Sequence, residues 1–435
     1  MARHIVPILA LLAGMIFLML GSGLHGILIP VRGEVEGFST YQLGWIGTGF
    51  AVGFTIGCLL IPRLVRRVGH VRTFSTLTAI MAASVLVNGL FVDSVAWMVL
   101  RAISGFCLAG CYMVAESWLN ERVSNEMRGS MFSLYAIVTM LAMMGGQYML
   151  VLAEPTEETL FMLGAILYVL AVVPTAVSKA QSPAPLNSVD LDLISLFRNS
   201  PAAFVGAILC GIITSAWTNF GPVFGQQVDM SSAQIATLLA AAMTGSILFQ
   251  YPLGKLSDMI DRRYVMAIAG IIGIATGSLM SSMSENANSS VLFFLAVVAY
   301  GAVIYSIYSL VVAHANDFAD TGDFVKIAGG MLILYGFGTM GGPIITAFMM
   351  DTLGPSGVFT TTTFAHIAFA GYAVYRTFRR QQVDEEERTD FQTVGLARAQ
   401  TPETYALDPR ADETFGQEEV EELPPMPEPV KVELD

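Results

Sequence analysis

The chain has 435 residues, 54% of them hydrophobic and 13% charged, where a soluble globular protein carries roughly 25% charge. One or two buried cores cannot absorb that much apolar surface, so a soluble globular protein is excluded and a lipid-facing one is implied. The formal net charge of −13 belongs mostly to one end: residues 377–435 hold 16 acidic and 6 basic side chains, whereas residues 1–376 hold 19 and 16.

Ile5 to Pro30 form the first apolar run, 26 residues long. That exceeds the 7–15-residue apolar region of a signal peptide and is long enough to cross a bilayer. Eleven further runs follow, at 41–62, 71–92, 95–116, 129–152, 158–178, 201–224, 232–253, 264–283, 289–313, 327–350 and 354–376. Each is far longer than a barrel strand of about 10 residues, and in lipid only a helix or a closed barrel satisfies its own backbone. The expectation is an all-α membrane protein with twelve transmembrane helices. Fourteen of the 16 Lys and Arg residues in 1–376 fall on one side of this map. Arg32 falls on the other side and Arg101 lies within a span. By the positive-inside rule the N- and C-termini are cytoplasmic.

Cys58, Cys107, Cys111 and Cys210 all fall inside apolar runs. Cys107 and Cys111 share a helix face, which fits either a soft-metal pair or small-residue packing. Packing is preferred, and no metal site is assigned.

The two parts of the chain repeat. Pro30-Val31, Ser39-x-x-Gln42, Gly53 and Leu64 recur as Pro222-Val223, Ser231-x-x-Gln234, Gly245 and Leu256, all at an offset of 192. GSMFSLYAIVTM from Gly129 and GGMLILYGFGTM from Gly329 share six of twelve positions at an offset of 200. Two pseudo-symmetric six-helix halves are expected, 1–178 and 201–376, with a binding site at their interface near the midplane. Residues 179–200 read as a cytoplasmic linker with Pro183 and Pro185, ending in a short amphipathic helix. Residues 377–435 read as a disordered acidic cytoplasmic tail.

The 8–9 loop reads Gly254-Lys-Leu-Ser-Asp258-Met-Ile-Asp261-Arg262-Arg263. It resembles the loop signature G-x-L-[SA]-D-x-x-G-R-R of the major facilitator superfamily, with Asp261 in place of the later glycine. The first-half copy, from Pro62 through Arg66, Arg67 and Gly69 to Arg72, is a degraded version. Arg101-x-x-x-Gly105 is similar to the superfamily's fourth-helix arginine motif. Glu116-Ser117, Arg128-Gly129 and Gly145-Gly146-Gln147 resemble the YcaD-type bacterial branch. The resemblance implies a transporter in the bacterial inner membrane and covers residues 5–376.

Arg101 lies about six residues into its span, so about 9 Å deep at 1.5 Å per residue. A cation there faces a partner or a wet cavity. It fits a substrate-pairing or coupling role, or a brace between helices. Glu116, fifteen residues on, fits a proton-coupling site or a gate carboxylate paired with a nearby arginine. His25 fits a cavity residue titrating near neutral pH, or a packed histidine. Trp217, Asn219, Tyr305 and Tyr308 fit pocket walls or plain packing. Gly254, Asp258, Arg262, Arg263, Arg66, Arg67, Gly69 and Arg128 make up an expected cytoplasmic gate that bridges helix ends in one state and releases them in another.

No nucleotide-binding G-x-x-x-x-G-K-[ST] run is present, so ATP drive within this chain is not expected. The expected function is secondary transport of a small organic solute by alternating access, coupled to protons. The expected partners are that solute and the bilayer, with no nucleic acid and no cofactor, and the expected state is a monomer. The alternative is a non-transporting sensor or scaffold acting through its acidic tail. An enzyme is not expected, because no nucleophile elbow or ligand-spaced cluster stands in the spans.

Overall fold

A computed structural model of the chain describes residues 2–122, 128–177, 193–318, 324–379 and 391. Among them stand fourteen α-helices and no strand. In chain order they are α1 (Ala2–Val35), α2 (Thr40–Val68), α3 (His70–Leu90), α4 (Ser94–Arg122), α5 (Arg128–Tyr148), α6 (Thr159–Val177) and α7 (Leu193–Asn199). The second set is α8 (Pro201–Gln227), α9 (Ser232–Met259), α10 (Arg262–Ser282), α11 (Val291–Ile304), α12 (Ile307–Asn316), α13 (Phe324–Leu353) and α14 (Gly357–Thr377).

Local chemistry sets several of these ends. Ser39 accepts the amide of Gln42 at 3.3 Å, and the Gln42 side chain accepts the Ser39 amide at 2.8 Å. This reciprocal cap satisfies two of the donors a helix start leaves open. Ser231 and Gln234 repeat it at the start of α9, at 3.3 and 2.9 Å. The turns before these caps also match: Gly37 takes φ +78° and Asp229, 192 positions on, takes φ +58°.

Close helix crossings repeat in the same way. A side chain at Gly53 would overlap the carbonyl of Ala102, and one at Gly105 that of Phe50, where α2 crosses α4. At Gly245 and Gly301 it would overlap the carbonyls of Val298 and Ala242, where α9 crosses α11. Small residues let backbones meet where lipid gives no hydrophobic drive for helices to associate.

Among the described residues, eleven helical stretches are long and apolar enough to cross a membrane, with α11 and α12 counted as one run, Val291–Asn316. The twelfth expected span corresponds to α14, 21 residues long. It is more polar than the others because it carries Thr360 to Thr363 and His366; Thr361, Thr362 and His366 turn inward and are buried. Outward faces are apolar stripes, such as Met162, Ile166, Val169 and Val173 on α6. The expected tenth span is broken at Tyr305-Ser306. The carbonyl of Ile304 at the break accepts the hydroxyl of Thr214 at 3.4 Å. A broken backbone at membrane depth is tolerated where neighbouring helices supply such partners.

The helices pack as two groups, α1 to α6 and α8 to α14, which meet chiefly through α2 against α13, α1 against α8 and α5 against α9. α7 occupies the place of the expected short surface helix. The rest of the expected linker, and the expected tail apart from residues 377–379 and Phe391, lie outside the described residues.

Candidate functional site: a cavity between two helix groups

A cavity of about 460 Å³ lies between the two groups, walled by α1 to α6, α8 and α13. One end is packed shut. Gly44 on α2 lies so close to α13 that a side chain there would meet Ala347 Cβ and the Pro343 carbonyl at 3.1 Å. Thr48 donates to the Met340 carbonyl at 2.8 Å. Gln227 donates to Glu34 at 3.0 Å, and Tyr148 to Thr237 at 3.2 Å. Toward the other end the lining reaches Arg63, Arg66 and Gly329, and both arginines are exposed. The cavity therefore reaches the basic end of the bundle and stops short of the opposite end.

Arg101, His25 and Asn219 come together on the lining from α4, α1 and α8. The Arg101 guanidinium lies over the Phe50 ring, 4.3 Å from its centroid, a cation–π contact that fixes the plane of the group. His25 is buried, within electrostatic range of Arg101, with its ring edge-on to Tyr168 at 6.4 Å. Its Nε2 has no hydrogen-bond partner in the structure. Asn219 donates to the Ser215 carbonyl at 2.9 Å.

The other pocket candidates stand elsewhere. Trp217 is fully buried away from the lining, against Tyr300 at 5.3 Å and Phe359 at 6.4 Å. Tyr308 stands behind the wall, edge-on at 4.7 Å to Tyr335, which does line the cavity. Tyr305 is buried at the break between α11 and α12. Glu116 is buried on α4 outside the lining, within electrostatic range of Cys58 and Tyr135. The aromatics that do line the cavity, Phe50, Phe54, Tyr112, Tyr168 and Tyr335, carried no signal in the sequence. Phe50 and Phe54 share a face at i, i+4, but which face meets the cavity is fixed only by the α2–α4 crossing.

The expected gate residues form two separate sets. Arg262 is fully buried, donating to Asp317 at 2.7 Å, Ser257 at 2.9 Å and Asp258 at 3.2 Å. It ties the α9–α10 turn to the end of α12. Asp261, in the motif's glycine position, caps α10 by accepting the Arg263 amide at 2.9 Å and pairs with the Arg263 side chain at 2.6 Å. Burial alone would raise its carboxyl, but the Arg263 hydrogen bonds outweigh it, with help from the Arg263 and His314 charges, and hold it below the ordinary value of 3.8. Arg263 also donates to the Arg376 carbonyl at the end of α14 at 2.9 Å. In the first group Arg66 and Arg67 are exposed, and Gly69 joins α2 to α3 at φ +89°. Arg128 opens α5, and its side chain lies outside the described residues.

Phe391 was no candidate in the sequence. Its amide donates to Asp258 at 2.8 Å, and its ring occupies the space a side chain at Gly254 would need.

A helical bundle with apolar outer stripes and a partly polar cavity reaching one of its ends is the architecture of a multi-pass membrane transporter. The chain belongs to the Major Facilitator Superfamily, whose sequence model matches residues 11–232 and 203–407. The MFS-type transporter YcaD of Escherichia coli K12 is 24% identical over 363 residues, 82% of this chain and 93% of YcaD. Among solved structures, a variant of the nucleoside transporter NupG superposes with a TM-score of 0.70 at 16% identity, covering 87% of this chain and 98% of NupG. A bacterial homologue of the human lysosomal transporter Spinster, inward-facing and unoccupied, gives 0.67 at 14% identity, covering 89% and 98%. At such identities these two likenesses are of fold. The chain is a membrane transporter and YcaD-like, not an enzyme.

Proposed function

We propose that the chain is a secondary transporter that moves a small organic solute through its central cavity by alternating access. In this reading residues 1–178 and 201–376 are two pseudo-symmetric halves, joined by residues 179–200 and followed by an acidic tail at 377–435. Both termini and the Arg63–Arg66 end lie in the cytoplasm of a bacterium, and the monomer sits in the inner membrane. The basic end carries 14 of the 16 Lys and Arg residues of the body, which supports that orientation. The recurring caps and glycine crossings support the two halves.

The observation that carries the reading is a cavity sealed on one side by α2 against α13 and reaching the other side at Arg63 and Arg66. That is one of the two states an alternating path requires. Rocking the groups about the cavity exchanges the sealed and open ends. Arg101 holds solute, protons drive the cycle, and Glu116 and His25 are the coupling groups this reading favours, being buried and ionisable at membrane depth.

The test uses single-cysteine variants Thr218→Cys and Ser22→Cys, labelled with a membrane-impermeant maleimide in right-side-out and inside-out vesicles. Labelling from both faces is expected, faster from the cytoplasmic one. Positions that never react from the periplasmic face would overturn alternating access.

A further inference from the structure

The charges on the cavity wall share one sign. Among the described residues that line it, the charged side chains are Arg63, Arg66 and Arg101, with no aspartate or glutamate. Among the described acids, Glu116 lies outside the lining, though within electrostatic range of Cys58, which belongs to it, and Glu34 is bonded to Gln227 at the sealed end. The charged side chains of the wall repel a cation, whereas an anion would be drawn in at the mouth and held at depth.

The cations are also graded along the path. Gly49 and Gly53 on α2 lie against the carbonyls of Met98 and Ala102, so Phe50 and Arg101 stand at one level. Gly44, where the cavity is sealed, is six residues from Phe50, about 9 Å along the helix. Arg63 is thirteen residues the other way, about 20 Å. Arg101 is thus near the sealed end and the other two arginines mark the mouth. At the level of Arg101 the lining also carries the His25 ring and the Asn219 side-chain amide. Between that level and the mouth the wall carries Phe54, Leu332 and Ile333, with the hydroxyls of Thr55, Tyr112 and Tyr335 among them.

We infer that the solute is an amphipathic organic monoanion, a carboxylate with an aryl or alkyl body, bound with its head against Arg101 and its body along Phe54 and Leu332. A guanidinium stacked on an aromatic ring at the inner end of the cavity places a fixed positive charge there, which attracts a carboxylate head. The volume of about 460 Å³ lies within the roughly 300–1,000 Å³ of small-molecule pockets. The inference rests on the transport reading for its physiological meaning, but binding and alternation are measured separately.

The experiment takes the full chain purified in detergent at pH 7.5. It measures thermal stabilisation by a panel running from benzoate to 4-phenylbutyrate and octanoate, each beside its neutral primary amide and its amine. A binder raises the melting temperature by mass action. At least one carboxylate is expected to bind at least tenfold more tightly than its amide, with the amine weaker still. Arg101→Gln should abolish that preference and Arg101→Lys should retain part of it, a split that a purely structural arginine would not give. If Arg101→Gln does not fold, the acid-over-amide ratio of the wild type decides alone. Amides or amines binding as tightly as acids, no carboxylate of the panel binding, or full selectivity in folded Arg101→Gln would each overturn the inference. Labelling at Thr218→Cys judges transport independently. Alternation without acid selectivity sinks only the anion assignment, and acid selectivity without alternation sinks only the transport cycle.

Discussion

Arg101 is affordable at membrane depth because its surroundings are not hydrocarbon. Phe50 covers one face of the guanidinium at 4.3 Å, and the side chain lines a cavity, which is where intramembrane charges are tolerated. A second residue at the edge of its allowed range is Asp229, whose φ of +58° lies where Asp and Asn are the tolerated non-glycine residues. Its counterpart Gly37 makes the same turn without a side chain. Asp229→Gly is therefore expected to leave stability within about 1 kcal/mol of wild type. Asp229→Val, β-branched in the left-handed region, should cost about 1–3 kcal/mol. Melting temperatures of the two purified variants check this, and equal values would show that the turn is not strained.

At the scale of elements, the α9–α10 turn binds other parts of the chain to itself. Arg262 reaches α12, Arg263 reaches α14, and Asp258 takes the amide of Phe391. The loop pattern was visible in the sequence, and so were its ionic residues. Its partners were not, because Asp317, Arg376 and Phe391 lie 55 or more positions away and no periodicity connects them. Gly254 gives the sharpest test of this cluster. Its missing side chain is the space the Phe391 ring fills, so Gly254→Ala should displace Phe391 and speed proteolysis beyond residue 379 severalfold. Phe391→Ala should match it, and the double variant should add nothing. Cleavage at the wild-type rate in Gly254→Ala would show that the contact does not hold the chain there.

For the whole molecule, the governing feature is that one end of the cavity is sealed by backbone-level packing of α2 on α13. A Cβ at position 44 would lie 3.1 Å from Ala347 Cβ, close to the roughly 3.5–4.5 Å that a disulfide spans. Gly44→Cys with Ala347→Cys, oxidised, should cross-link the two groups at that end. Labelling of Thr218→Cys from the far face should then stop, and dithiothreitol should restore it. Unchanged labelling of the cross-linked protein would mean that this seal does not open in the cycle. The native cysteines are buried, which keeps them out of the oxidation.

The sequence alone determined the membrane setting, eleven of the twelve expected spans on a length and apolarity criterion, and the recurrence of Ser39-x-x-Gln42 and Gly53 as Ser231-x-x-Gln234 and Gly245, which the structure shows as helix caps and close crossings. Each of these follows from local composition, or from spacing along one chain. It also singled out Arg101, His25 and Asn219, which stand out as polar groups in apolar runs. It could not separate those from Trp217, Tyr305 and Tyr308, because an aromatic in a span reads the same whether it meets a cavity or a neighbouring helix. Only the tertiary structure decided that, since facing depends on how helices distant in sequence rotate against one another. The same packing decided that the charged side chains of the cavity wall are cationic: Arg63, Arg66 and Arg101 line one space, and Glu116 is not among the residues that line it.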